Sequence, residues 1–193
     1  MNEQIKQEIL APENAKQTAK ALLIENVNEN GLINLSYEVI YNKNAILCLQ
    51  LYEEGCGAYC SSGETYFNFD LKTGKTIGIA DLIREEMLDS FRTIVFNDKV
   101  KALQEYKIEE MNIFKQGGID SATYDWALEQ VENNCIKTIA LENFSLSNSN
   151  IEIIDRCEFP HAIRSQQPVY ELKYSYQFLQ PFLKLKFKNI LLK

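Results

Sequence analysis

Residues 69–76 read FDLKTGKT. The closing Gly74-Lys75-Thr76 is how a phosphate-binding P-loop ends. A P-loop also needs a glycine five positions earlier and a helix directly behind the motif, because backbone amides and a helix N-terminus cradle the phosphates. The earlier position holds Phe69, and Thr76-Ile77-Gly78-Ile79 follows, which is β-branched and broken by glycine. The stretch therefore reads as a turn between strands. Asp70 opens it and Gly74 supplies a positive φ.

Working outward, the turn closes a strand. Tyr66, Asn68 and Asp70 alternate with Phe67, Phe69 and Leu71 over residues 65–71, the period of a half-buried strand. Two more strands precede it. Residues 32–41, LINLSYEVIY, place Leu35, Tyr37, Val39 and Tyr41 in alternation. After Asn42-Lys43-Asn44, residues 45–52, AILCLQLY, return with Leu47, Leu49 and Leu51 on one face and Ile46, Cys48, Gln50 and Tyr52 on the other. The leucine face, being uniformly apolar, is expected to meet the core. Residues 53–64, EEGCGAYCSSGE, form a glycine-rich loop. Three strands joined by short connections predict an antiparallel meander.

The period then changes. Leu82, Ile83, Met87, Phe91, Ile94, Val95, Val100 and Leu103 recur every three or four residues. This predicts one or two amphipathic helices over 79–106, with a break near Asn97-Asp98. Gly117-Gly118 ends that region, and Tyr124, Ala127, Leu128 and Val131 mark a helix over 121–133. Strand patterns return at 138–146, 151–159 and 169–176. The tail FLKLKFK (182–188) alternates strictly and reads as an edge strand protected by lysines. Ala15, Ala19, Leu22, Leu23 and Val27 predict a first helix over 13–26. The expectation is an α+β fold: a single domain spanning 1–193, with an antiparallel sheet built from the meander and the C-terminal strands. Two to four helices pack on one face, and the 13–26 helix packs on the whole.

Bulk composition narrows the function. The chain has 193 residues and a net charge of −7, against a nucleic-acid binder, which needs a basic face, and compatible with a cationic partner. No run reaches the ~20 apolar residues of a membrane span. The N-terminus lacks a signal-peptide core, so either the protein is cytoplasmic or a leader is absent from this chain.

Cysteine usage leaves alternatives open. Cys48, Cys56, Cys60, Cys135 and Cys157 are odd in number. Pairing four of them admits fifteen connectivities, five choices of the free thiol times three pairings. Cys56, Cys60, Cys157 and His161 together form a set that suits zinc or a thiol-based active site, although disulfides explain the same cysteines. His161 is the only histidine, no serine-nucleophile elbow is present, and Glu85, Glu86, Glu109, Glu110, Glu129 and Glu132 read as solvated helix faces. No cofactor is expected. Tyr52, Tyr59, Tyr66, Tyr170, Tyr174 and Tyr176 fall on strands and the glycine loop. There they support a sheet or supply a recognition surface.

Taken together, Gly57-Ala58, Tyr66, Asn68-Phe69-Asp70, Thr73-Gly74-Lys75 and Asp81-Leu82 resemble the signature of RsiV-like domains of bacterial envelope proteins. The similarity covers about 32–183. Tyr59-Cys60 replaces the family's His-Pro in the loop. The resemblance implies an extracytoplasmic, non-catalytic binding or sensing domain, in a lipoprotein or a larger envelope protein. Relatives include the sensing domain of an anti-sigma factor that binds lysozyme and the accessory region of a peptidoglycan deacetylase (the PdaC type). The expected surface is the 53–64 loop with Tyr52, Tyr59, Tyr66, Glu53 and Glu54. The expected partner is a cationic protein such as lysozyme, or a cell-wall fragment. Cys56, Cys60, Cys135 and Cys157 are the disulfide candidates. The alternatives are the thiol- or zinc-dependent enzyme on Cys56, Cys60, Cys157 and His161, and a purely structural envelope domain.

Overall fold

A computed structural model describes residues 31–57, 59–137 and 139–192. The expected helix over 13–26 and Ala58 of the loop lie outside the described residues. The fold is α+β, its strands divided between two antiparallel sheets. The chain divides into two compact units, Met1–Gly78 with Phe144–Ser149, and Ile79–Asn143 with Asn150–Lys193.

The first unit is the meander. Strands β1 (Leu32–Lys43), β2 (Ile46–Cys56), β3 (Cys60–Asp70) and β4 (Lys75–Thr76) lie side by side in chain order. The β1–β2 loop is Asn44-Ala45, one residue later than the sequence suggests. Both residues have positive φ, 55° and 61°, as a two-residue hairpin turn matching the sheet twist requires. Asparagine tolerates this conformation and alanine resists it. The β3–β4 turn forms as expected. Asp70 Oδ1 accepts from the Lys72 amide at 2.9 Å, the Asp70 carbonyl accepts from the Gly74 amide at 2.6 Å, and Gly74 has φ 73°.

Which face of β2 is most buried differs from expectation. Ile46 and Cys48 are buried, whereas Leu47, Leu49 and Leu51 are half-buried. The reason is a late segment of chain, β5 (Phe144–Leu146), that packs on the Cys48 side. Asn68 Nδ2 donates to the Phe144 carbonyl at 2.8 Å, and the Leu146 amide donates to Cys48 Sγ at 3.5 Å. Asn68, buried on that face, thus gains a partner for its amide, which a buried polar group requires.

The second unit opens with α1 (Ile79–Leu82) and a 3₁₀ turn (Glu85–Met87), followed by α2 (Leu88–Lys115). Helix α2 runs 28 residues without the break expected at Asn97-Asp98. Its buried stripe is Phe91, Val95, Lys99 and Leu103, spaced by four. It ends in a paired cap: Gly117 donates to Phe114 and Gly118 to Ile113, both at 2.9 Å, with Gly117 at φ 75°. Such an end satisfies carbonyls that the helix leaves open. Asp120 caps α3 (Ser121–Gln130), accepting from the Thr123 amide at 2.9 Å. A π-helical turn, Val131–Cys135, follows and delivers Cys135 to the core. There Leu103, Ala127, Val131, Cys135, Cys157, Phe159 and Ile163 pack together, each large apolar side chain stabilising by about 1.5–3 kcal/mol.

The late strands are shorter than their patterns. Ladder pairing covers only β5, β6 (Asn150–Ile153) and β7 (Leu172–Ser175), with β6 and β7 antiparallel. Cys157 and Phe159 leave the strand line because they are buried in the helical core. The tail is corrected outright. Instead of an edge strand, the chain forms α4 (Tyr176–Leu179), a bridge from Leu183 to Ile83, and α5 (Leu185–Leu191). Leu183, Phe187 and Leu191 are buried at intervals of four, while Leu185 is 72% exposed. The helical period therefore prevails over the alternation.

Replacing Ala45 by glycine removes the strain of positive φ without removing a contact. Ala45→Gly is expected to stabilise the protein by roughly 1 kcal/mol in denaturant unfolding. A destabilised variant would contradict the turn geometry.

Candidate functional site

Residues directly opposite in an antiparallel pair point to the same face, so the register of β1, β2 and β3 sorts the predicted contact residues. Glu38, Gln50 and Tyr66 form one row. Ser36, Tyr52 and Glu64 form the next, and Asn34, Glu54 and Ser62 the third. Tyr52, Tyr66 and Glu54 therefore share a face, joined by Glu64, the last residue of the expected 53–64 loop, and by Glu38, which lies outside it. Each row carries one carboxylate, none lies directly opposite another, and none of these side chains is basic. The Tyr66 hydroxyl donates to Glu64 Oε2 at 3.4 Å. Both tyrosines are half-buried.

Two predicted residues fall elsewhere. Glu53 pairs with Leu35 and Gly63 on the opposite face, its side chain lying over Gly63. That face is apolar, with Leu35, Tyr37, Val39, Leu49, Leu51 and Phe67. Tyr59, 65% exposed, sits at the hairpin tip.

The tip is tied twice. Cys56 and Cys60 are register partners and are joined by a disulfide. Gly31 accepts from the Cys56 amide at 2.8 Å with φ 65°, and a Cβ there would stand 2.1 Å from the Cys56 carbonyl oxygen, so only glycine fits. A second disulfide joins Cys135 to Cys157. The proposed metal or thiol set is therefore not brought together. Cys56, Cys60 and Cys157 are disulfide-bonded, and His161 is exposed at the start of a 3₁₀ turn, His161–Gln166. Among the described residues, no group of three or more metal-ligating side chains is placed to hold an ion. Cys48 is the free thiol. Burial pushes its pKa up to about 11, with the Leu146 amide opposing, so it stays protonated and inert.

A largely buried polar cluster in the second unit joins Tyr170 and Tyr174, which the sequence offers as sheet supports or a recognition surface, to charged partners that it does not announce. Lys99 Nζ lies 2.6 Å from Asp155 Oδ2, with Lys99 only 3% exposed. The Tyr170 hydroxyl donates to the same Asp155 oxygen at 3.2 Å, and Tyr174 donates to Asp98 at 2.9 Å. Burial first, then the neighbouring carboxylate, pushes both phenols up, so they act as donors. The signal for Lys99 is its place four residues from Val95 and from Leu103 on the buried stripe. These groups fasten the 155–174 segment to α2, and their burial argues for structure instead of recognition.

No family model and no curated protein matches the sequence. The structure is similar to that of a DUF3298 family protein from Pseudomonas aeruginosa PAO1, with a TM-score of 0.54. The identity is 13% over 88% of this chain and 71% of that one. A DUF3298 family member from Bacteroides fragilis aligns with a TM-score of 0.49, at 16% identity, over 92% of this chain and 66% of that one. At such identities the first likeness establishes the fold alone. It is consistent with the resemblance carried by residues between Gly57 and Leu82.

Two measurements check this geometry. Lys99→Met, which strands Asp155 in the interior, is expected to cost about 3–5 kcal/mol, and the double change Lys99→Met with Asp155→Leu less than the sum of its parts. Thiol titration of the unreduced protein is expected to find no reactive cysteine in the native state and one, Cys48, after unfolding. A thiol that labels rapidly in native buffer would contradict the assignment.

Proposed function

We propose that this protein is a non-catalytic binding or sensing domain of the cell envelope that recognises a cationic partner through the acidic, tyrosine-bearing face of its meander. One observation carries the reading: the register gathers Glu38, Glu54, Glu64, Tyr52 and Tyr66 on one face without a basic side chain among them. Carboxylates beside aromatic rings suit lysine and arginine side chains, which gain ion pairing and cation–π attraction together. Tyrosine adds contact area at low entropic cost.

Other observations fit the setting. Two disulfides suit an oxidising compartment. No described helix is long and apolar enough to cross a membrane. The similarity to RsiV-like domains supports an extracytoplasmic location and makes lysozyme, or a cell-wall fragment, the partner to try first.

The test is a titration of the protein with lysozyme by calorimetry. Binding is expected, weakening as salt rises. Glu54→Lys with Glu64→Lys is expected to lower the affinity at least tenfold with the circular dichroism unchanged. Lysozyme binding that ignores the double reversal would remove this face from the reading. Absence of binding, for lysozyme and for soluble peptidoglycan fragments alike, would favour a purely structural envelope domain.

A further inference from the structure

Natural sheets protect their outer strands by shortness, proline, lysine or a covering element, because an open strand edge is a template for another strand. Among the described residues, strand β1 shows little of this protection. It is 12 residues long and, among the described strands, the outermost of its sheet, with β2 as its neighbour. It contains no proline, and Glu38 is the single charged residue between Leu32 and Asn42. Irregularities in the pairing fall at Ile33 and Ile40. Between them Asn34–Val39 pairs regularly with β2, a six-residue template.

The two faces flanking this edge differ in chemistry. On one side stand Leu35, Tyr37 and Val39, 45%, 74% and 47% exposed. On the other stand Asn34, Ser36 and Glu38, short or acidic, leading inward to Tyr52, Glu54 and Glu64. Adjacent strands lie about 4.8 Å apart, so the first row inside β1 lies roughly 10 Å from an added strand. The small Asn34 and Ser36 leave a lysine on that strand open passage toward Tyr52 and Glu54.

We infer that the edge of β1 accepts an extended peptide strand whose residues alternate between basic and apolar. Its backbone hydrogen-bonds to Asn34–Val39. Its lysines or arginines lie over Glu38 and reach toward Tyr52 and Glu54, and its apolar residues extend the row of Leu35, Tyr37 and Val39. Charge complementarity selects the basic set, and the period of two fixes which residues face which side. This inference rests on the cationic-partner reading and specifies how the partner binds.

The probe is a fluorescently labelled eight-residue peptide of alternating lysine and valine. Its control has the same composition as a block of four lysines followed by four valines. By fluorescence anisotropy, the alternating peptide is expected to bind at least tenfold more tightly. Hydrogen exchange is expected to slow at the Asn34–Val39 amides on binding. Leu35→Lys with Tyr37→Lys, at exposed positions, is expected to cost the alternating peptide at least tenfold with the circular dichroism unchanged. Equal binding of the two peptides with no protection of β1 would overturn the strand-addition mode. If Glu54→Lys with Glu64→Lys then abolished both, the cationic-partner reading would survive it. Failure of both peptides to bind would also overturn the inference, and the lysozyme titration would judge the broader reading separately.

Discussion

The pairing register of β1, β2 and β3 is the constraint on which the rest of the first unit depends. Side chains alternate between faces with a period of two, so a slip of one residue would move every side chain of a strand to the other side. Three local devices hold the register. The Asn44-Ala45 turn sets β1 against β2, the Cys56–Cys60 bond sets β2 against β3, and the Asp70–Gly74 turn sets β3 against β4. The Asn68–Phe144 hydrogen bond adds a check from distant sequence, since only one face of β3 offers that amide to β5. With these fixed, Glu38, Glu54, Glu64, Tyr52 and Tyr66 share one surface, and Leu35, Val39, Leu49, Leu51 and Phe67 the other.

The parts of the fold written in local pattern are legible in the sequence. Strict alternation gives the meander, and the Asp70…Gly74 spacing gives the turn whose Gly74-Lys75-Thr76 ending imitates a phosphate loop. What remains hidden depends on distant partners. Cys48 and Ile46 are buried because Phe144–Leu146 arrives some hundred residues later, as the Leu146–Cys48 contact records, and nothing near β2 announces it. The tail misleads for a different reason. Leu183, Phe187 and Leu191 satisfy a period of four, while Leu183, Leu185 and Phe187 satisfy a period of two. Only the burial of Leu191 and the exposure of Leu185 decide between them. Lys99 is missed because a lysine on a helix is read as solvated, although its neighbours at four-residue spacing are apolar.

For the site, sequence yields residue types and the structure yields company. Tyr52, Tyr66 and Glu54 are chosen for their residue types, and the register shows only that they share a face. Glu38 becomes visible only through the register, which also sets Glu64 of the expected loop on the same face and drops Glu53 to the opposite one. The cysteines follow a similar division. Their odd number leaves at least one outside an intramolecular pair, and the structure shows it to be Cys48, beside the late strand. Chemistry in this protein accordingly separates into two kinds. Lys99, Asp155 and the half-buried Tyr170 partner one another and hold the second unit together, whereas the carboxylates of the meander are the ones the proposed cationic partner would meet.

The most direct measurement of the register is a set of cross-strand nuclear Overhauser contacts in isotope-labelled protein. Backbone contacts pairing Ser36 with Tyr52, Tyr52 with Glu64, and Gln50 with Tyr66 are the expected result. A set displaced by one residue, such as Leu51 paired with Glu64, would contradict it, and would place the tyrosines and carboxylates of the candidate surface on different faces of the sheet.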